Sequence, residues 1–275
     1  MNIKKSIVVW AGMGAALMTV TSAQAGYDNY GGIQSANFGL LTSAWGANGS
    51  TRALPGPAAP GSASWSVMGA GLSDASGFDP HGGSFTTLLS ALYAAGLSPV
   101  QVIGMALAAW DSVSGFDSLG QVADGGGNFG AAGTAGGAGH IRIGAVFIDG
   151  AVGGNVLAHA YQPGNESYFG AGGNIAGDVH FDNANLWSDG GGGGTIDFYT
   201  VALHELGHAL GLAHSTVAGS VMEATYAGQR RVLTADDIAG IQAIYGPVPE
   251  PGTYGLMALG LLAVAGAARR RQTRD

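Results

Sequence analysis

His204-Glu205-Leu206-Gly207-His208-Ala209-Leu210-Gly211-Leu212-Ala213-His214 is the stretch on which the reading of this chain turns. Positions four apart on an α-helix share a face, so His204 and His208 can aim two imidazoles at one metal ion with Glu205 beside them. Gly211 lets the backbone leave the helix through a left-handed conformation, after which His214 can swing back as a third nitrogen ligand. Three protein ligands leave the fourth position of a tetrahedral zinc open for water, the arrangement of a catalytic rather than a structural site. Zinc in such a site lowers the pKa of its water and polarises a carbonyl. Glu205 is then placed to take the water's proton and pass it to a leaving amine.

A helix is expected from about Asp197 to Leu210, started by Thr195 or Asp197 and ended by Gly211. Downstream, Thr234 caps a last helix that ends near Tyr245-Gly246; Asp236 and Asp237 stand in its first turn, where the helix dipole favours carboxylates. Upstream, Ser98-Pro99 joins a capping hydroxyl to a proline at the first helical position. Val102, Ile103, Leu107 and Trp110 then recur at helical spacing toward a stop near Gly115. Ala63–Ala70, Phe116–Ala123, Ile141–Ile148, Val156–Tyr161 and Asp178–Phe181 read as strands. One helix, several strands and two helices predict an α+β domain. Residues 26–61, rich in Gly, Ala, Ser and Pro with weak periodicity, predict a loosely ordered lead-in, with the domain itself spanning 62–247.

With 275 residues, 47% of them apolar, the chain can bury a sizeable core. Its 51 glycines follow no collagen-like period and gather in tracts such as 190–194, which read as loops. There is no cysteine, which excludes disulfides, thiolate metal sites and cysteine nucleophiles together. Between residues 26 and 247 the cations are Arg52, Arg142, Arg230 and Arg231, against thirteen Asp and three Glu, a net charge of −12. A chain this acidic lacks the basic face that phosphate neutralisation needs, so nucleic acid is not an expected partner. Excess carboxylate fits an extracellular surface and calcium.

Both ends carry sorting patterns. Lys4 and Lys5, the apolar run from Ile7 to Val20 and Ala23-Gln24-Ala25 before Gly26 have the order of a secretory signal, so residues 1–25 are expected to be removed. Residues 248–275 run Val248-Pro249-Glu250-Pro251, a mostly apolar stretch from Tyr254 to Ala268, then Arg269, Arg270 and Arg271. The apolar stretch is short for a full span, and the arginines would stay on the cytoplasmic side, which predicts a transient membrane association. This tail resembles the PEP-CTERM sorting signal read by exosortases in Gram-negative bacteria. The resemblance implies an exosortase-type processing partner and a protein that is secreted or held at the cell envelope.

The histidine segment resembles the zinc signature of the metzincins, and its surroundings resemble their matrixin branch, the matrix metalloproteinase type. Ser215-Thr216 follows His214, and Met222 in Ser220-Val221-Met222 stands where the family has its Met-turn. Leu233-Thr234-Ala235-Asp236-Asp237-Ile238-Ala239-Gly240-Ile241-Gln242 matches the family's last helix. Asn155–Tyr161 resembles the family's edge strand, which makes the backbone of Leu157 and Ala158 the implied rail for an extended peptide, a form of β-augmentation. Tyr226 falls at a wall of the specificity pocket, although the family's preceding proline is Ala224 here. His159 and His180 match two ligands of a second, structural zinc, but the loop that supplies the others is shortened to Asp149–Gly154 and has no histidine. Asp178 and Asp182 match calcium-binding carboxylates, while Asn185 replaces an acidic residue. The fold implied is a twisted, mostly parallel sheet with an antiparallel edge strand and three helices.

The leading expectation is therefore a zinc-dependent endopeptidase acting on extracellular or envelope proteins. A catalytically silent, metal-stabilised binding or matrix protein is the alternative, against which the intact Glu205 argues. A third reading is a related zincin with very narrow substrates, such as a self-processing enzyme. Without cysteine, the family's latency through a thiolate ligand is impossible, and control of premature activity must come from elsewhere, such as the segment Gly26–Gly61 or late metal loading.

Overall fold

The computed structural model describes residues 5–10, 33–34, 38–73, 84–87, 97–128, 139–150, 156–164 and 175–248, with four further positions at 259, 260, 262 and 264. The cleavage site expected after Ala25 and most of the sorting tail lie outside the described residues. No helix among the described residues is long and apolar enough to cross a membrane.

Seven strands form the main sheet: β1 (Lys5–Trp10), β2 (Gly61–Val67), β3 (Phe116–Gln121), β4 (Ile141–Val146), β5 (Val156–Tyr161), β6 (Val179–Asp182) and β7 (Thr225–Tyr226). Their order across the sheet is β7-β1-β5-β6-β4-β2-β3. β2 pairs in parallel with β3 and β4, and β4 pairs in parallel with β6, while β5 runs antiparallel to β6. The mostly parallel sheet with an antiparallel strand toward one edge is thus present. One relation differs from expectation: the outer side of β5 is taken by β1, which runs parallel to it and antiparallel to β7.

Burial follows position. All six residues of β4 are buried, as expected for a strand covered on both faces, whereas in β3 at the sheet edge only Phe116 is buried and the following positions alternate between exposed and half-buried. Three helices complete the domain: α1 (Pro99–Asp111), α2 (Phe198–Ala209) and α3 (Ala235–Tyr245). Ser98 caps α1 through a capping box with Gln101, and Pro99 opens it. Its inner face of Val102, Ile103, Ala106, Leu107 and Trp110 lies against α2, where the Trp110 Nε1–H donates to the Leu203 carbonyl at 3.0 Å. Every residue of α2 is buried, so its motif histidines sit on the central helix of the core.

The lead-in requires correction. From Phe38 onward it is part of the domain, so the domain begins well before Ser62. Trp45 is only 3% exposed, and its Nε1–H donates to the Ala209 carbonyl at 2.9 Å. The Leu41 N–H donates to the Gly211 carbonyl at 2.8 Å, and the Tyr245 hydroxyl, which accepts from the Trp45 N–H, donates to the Leu210 carbonyl at 2.7 Å. The last carbonyls of a helix have no intrahelical partner. Here the carbonyls of Ala209 and of the cap residue Leu210, and that of Gly211 just beyond the helix, are satisfied by the segment 38–61 and by α3, which fixes the end of the helix that leads to His214.

Candidate metal centre

Asp197 starts α2 as its N-cap, accepting from the Thr200 N–H at 3.3 Å and the Thr200 hydroxyl at 2.6 Å. Gly211 ends the helical path with φ +106°, and a Cβ there would lie 2.6 Å from the Ser43 carbonyl oxygen. Handedness and space therefore both require glycine at the turn that sends the chain toward His214.

His204, His208 and His214 converge. Their ligand nitrogens lie within 4.8 Å of one another, and they are the one group of three or more potential metal-binding side chains among the described residues. The Nδ1 of His204 lies 2.6 Å from the Val221 carbonyl oxygen, and the Nδ1 of His208 lies 2.7 Å from the Leu212 carbonyl oxygen. A carbonyl can only accept, so each ring carries its proton on Nδ1 and turns the lone pair of Nε2 inward. Those two Nε2 atoms are 2.9 Å apart. Two opposed lone pairs at that distance need a cation between them. Burial holds both histidines well below the usual imidazole pKa and brings His214 down to about 4, so that cation is not a proton near neutral pH.

Glu205 adds a second unsatisfied demand. Both of its carboxylate oxygens and the Nε2 of His214 are buried with no hydrogen-bond partner among the described residues. Burial pushes the Glu205 carboxyl well above its ordinary range. Buried polar atoms are normally paired, and these unpaired ones belong to neighbouring members of the same cluster. Neutral nitrogen donors with an adjacent carboxylate suit zinc, and His204, His208 and His214 would hold it.

Met222, 2% exposed, lies beneath the helix, so close that a Cβ on Gly207 would be 2.4 Å from its sulfur. The turn that carries it is anchored by Asp237, which accepts from the Ser220 hydroxyl at 2.6 Å, the Val221 N–H at 3.0 Å and the Met222 N–H at 3.1 Å. The same carboxylate accepts from the Thr234 N–H and hydroxyl at the start of α3. The sequence marked Asp237 only as a favourable charge at a helix start. Because Val221 in turn holds the Nδ1–H of His204, Asp237 also orients a metal ligand through one intermediate residue. The i, i+3 spacing of a capping box was its only signal in the sequence.

The remaining candidates are distributed around this centre. Tyr226 in β7 is half-buried, and its hydroxyl accepts from the Asp197 N–H at 3.0 Å, tying β7 to the cap of α2. Leu157 and Ala158 are buried in β5, on the strand next to β1. His159 and His180 face each other across β5 and β6, with the Nε2 of the first 2.8 Å from the Nδ1 of the second. An N–H on one ring and a lone pair on the other satisfy that contact, and Asp178 stands 4.0 Å from the Nε2 of His180. The Asp182 carboxylate accepts from four N–H groups: those of Ile148, Gly150 and Ala184 and the side-chain amide of Asn185. These contacts are those of an anchor for the shortened loop.

Two histidines on α2 and a third beyond its end, beside a buried glutamate and above a methionine turn, make a cluster of the class that can hold a metal ion. Within that class, residues 141–246 match the matrixin family, and residues 247–271 match the PEP-CTERM protein-sorting motif. Similar relatives include matrilysin of Rattus norvegicus, 49% identical over 96 residues that make up 34% of this chain and 33% of the relative. Interstitial collagenase of Bos taurus is 50% identical over 100 residues, 36% of this chain and 19% of the relative. Matrix metalloproteinase-20 of Homo sapiens is 47% identical over 94 residues, 33% of this chain and 17% of the relative. The chain thus spans about a third or less of the length of these relatives.

Proposed function

We propose that this protein is a zinc-dependent endopeptidase that hydrolyses peptide bonds of proteins outside the cytoplasm, with Glu205 as general base. The observation that carries the reading is the pair of inward-facing Nε2 lone pairs on His204 and His208, 2.9 Å apart, beside an unpaired buried carboxylate. Zinc bound there supplies Lewis acidity toward water and toward the scissile carbonyl. The Val221 and Leu212 carbonyls hold the His204 and His208 rings in the tautomer that keeps Nε2 available. Glu205 accepts the proton of the attacking water on a carboxylate oxygen and delivers it to the departing amine nitrogen. Its low-dielectric surroundings raise its basicity, and zinc held by His204, His208 and His214 would favour its ionised form. Substrate lies extended along the backbone of Leu157 and Ala158, with Tyr226 bounding a side-chain pocket. The names of the relatives, matrilysin and collagenase, support the peptidase reading.

The PEP-CTERM motif supports passage across the inner membrane of a Gram-negative bacterium and processing by an exosortase-type enzyme. The test of activity is hydrolysis of casein or a quenched peptide by zinc-loaded protein cut after Ala25, beside the Glu205→Ala variant. Activity that needs both zinc and Glu205 is the expected result; equal hydrolysis by the two proteins would remove the reading.

A further inference from the structure

One imidazole outside the metal centre is held by contacts that its protonated form cannot keep. His140, just before β4, takes both backbone groups of Ser64 in β2: its N–H donates to the Ser64 carbonyl at 2.9 Å, and its Nδ1 accepts from the Ser64 N–H at 3.0 Å. A backbone N–H can only donate, so Nδ1 carries the lone pair and the ring proton sits on Nε2. The Ser64 hydroxyl lies 2.9 Å from the same Nδ1. A second proton would set an N–H on Nδ1 against the N–H of Ser64, a residue only 6% exposed, and leave that donor without its acceptor. Burial acts in the same direction and holds the ring below the ordinary imidazole pKa.

The same ring is a packing surface for the segment that holds the end of α2. Gly49, with φ +70°, lies so close to His140 Nε2 that no side chain fits between them, and the Trp45 ring stands 6.0 Å from the imidazole, centroid to centroid. Trp45 in turn donates its indole N–H to the Ala209 carbonyl and its backbone N–H to the Tyr245 hydroxyl, which holds the Leu210 carbonyl. A single side chain, Trp45, therefore separates His140 from the turn that leads to His214. β2 and residues 45–50 bring no ionisable side chain to the imidazole. On its own strand Arg142 is committed to Asp124 at 2.9 and 3.0 Å, and the turn at Gly177, which packs on the His140 carbonyl, leads to Asp178, whose charge acts on Arg142.

We propose that His140 is a positioning residue with a pH-sensitive hold on the metal centre: when neutral it latches Trp45 and Gly49 against β2 and fixes the end of α2, and when protonated it releases them and loosens the turn to His214. The inference rests on zinc at His204, His208 and His214 and does not require hydrolysis. Because the folded pKa lies below the unfolded one, the latch is intact above about pH 6.5 and weakens from there down to the folded value.

The experiment follows the zinc-loaded full chain from about pH 7.5 to about pH 5, across the ordinary imidazole range. Amide hydrogen exchange at Leu41 and Trp45, corrected for the intrinsic effect of pH on exchange, is read beside the rate at which zinc passes to a chelator. In the wild type, protection of both amides should fall by up to about tenfold per pH unit, the slope of one linked proton. His140→Asn offers an acceptor oxygen at the same bond distance from Cβ as Nδ1 and does not titrate, so it should keep its protection on acidification. At the acid end zinc should leave the wild type at least about tenfold faster than this variant. His140→Ala, which has no acceptor, should exchange quickly and release zinc quickly at every pH. Equal acid dependence in the wild type and His140→Asn would overturn the proposal. So would an NMR titration of the wild type that places the His140 pKa at or above the ordinary imidazole value, a measurement that needs no variant to fold. The expected exchange in a chain that hydrolyses no peptide would instead uphold the latch and sink the peptidase reading.

Discussion

The chain buries two histidine pairs with nearly the same spacing, and only one of them has the features of a metal centre. His204 and His208 stand 2.9 Å apart on one helix, His159 and His180 stand 2.8 Å apart on adjacent strands, and all four are fully buried. In the first pair each outer nitrogen is committed to a backbone carbonyl, so the facing nitrogens cannot share a proton. In the second, the contact is satisfied as an ordinary hydrogen bond from one ring to the other. The first pair also has His214 and the unpaired Glu205, whereas no third metal-binding side chain completes the second pair among the described residues. Proximity of two imidazoles is therefore weak evidence. The partners of the nitrogens that face away decide what the facing ones can do.

The largest expected effect that tests this contrast is at Glu205. Glu205→Gln should retain zinc yet lower peptide hydrolysis by about a hundred- to ten-thousand-fold, the range that one general base supplies; steady-state kinetics of the cut protein with zinc counting checks both halves. Next is metal content. The wild type is expected to hold one zinc per chain; His208→Ala should lose it, and His180→Ala should keep it. A second equivalent that disappears in His180→Ala would place a structural zinc at the strand pair and break the contrast.

Asp237→Ala should destabilise the fold by about 3 kcal/mol, because buried donors on the Met222 turn and at the start of α3 lose their acceptor together. Chemical denaturation measures that loss. The zinc-free protein should also lose stability as pH falls. His204, His208 and His214 have folded pKa values below their unfolded value, so below about pH 6.5 the unfolded chain binds more protons than the folded one. For His214 that window runs from about 6.5 down to its folded value of about 4. Glu205 has the opposite sign: its pKa is raised in the folded state, so its penalty grows as pH rises above the ordinary carboxylate range. Glu205→Gln should accordingly stabilise the zinc-free protein at neutral pH relative to the wild type. Thermal melts of the two metal-free proteins between pH 4 and 8 test both signs.

The sequence was most informative where local rules act. Ser98, Asp197 and Thr234 are the N-caps of the three helices, and the histidine spacing on α2 anticipated the cluster because helical periodicity is short-range. The segment 38–61 was misread because Gly, Ser and Pro dilute its few anchors, among them Leu41 and Trp45, whose partners Gly211 and Ala209 lie more than a hundred residues away. Composition records none of that pairing. The position of β1 was equally illegible, since pairing in the sheet depends on which edge is available rather than on the leader's own pattern. For His159 and His180 the sequence showed the two residue types and the shortened loop, while the mutual contact of the rings appears only in three dimensions.

Gly207, inside the histidine motif, has a further consequence for other chains of this kind. Glycine in a helix interior costs about 1 kcal/mol relative to alanine, yet no side chain fits at 207 while Met222 Sδ and Trp110 crowd that face. Positions 207 and 222 are therefore mechanically coupled across fifteen residues. A homologue with alanine or serine at the first should carry a shorter or displaced residue at the second, and one that changes only one of the two should tilt its metal-bearing helix.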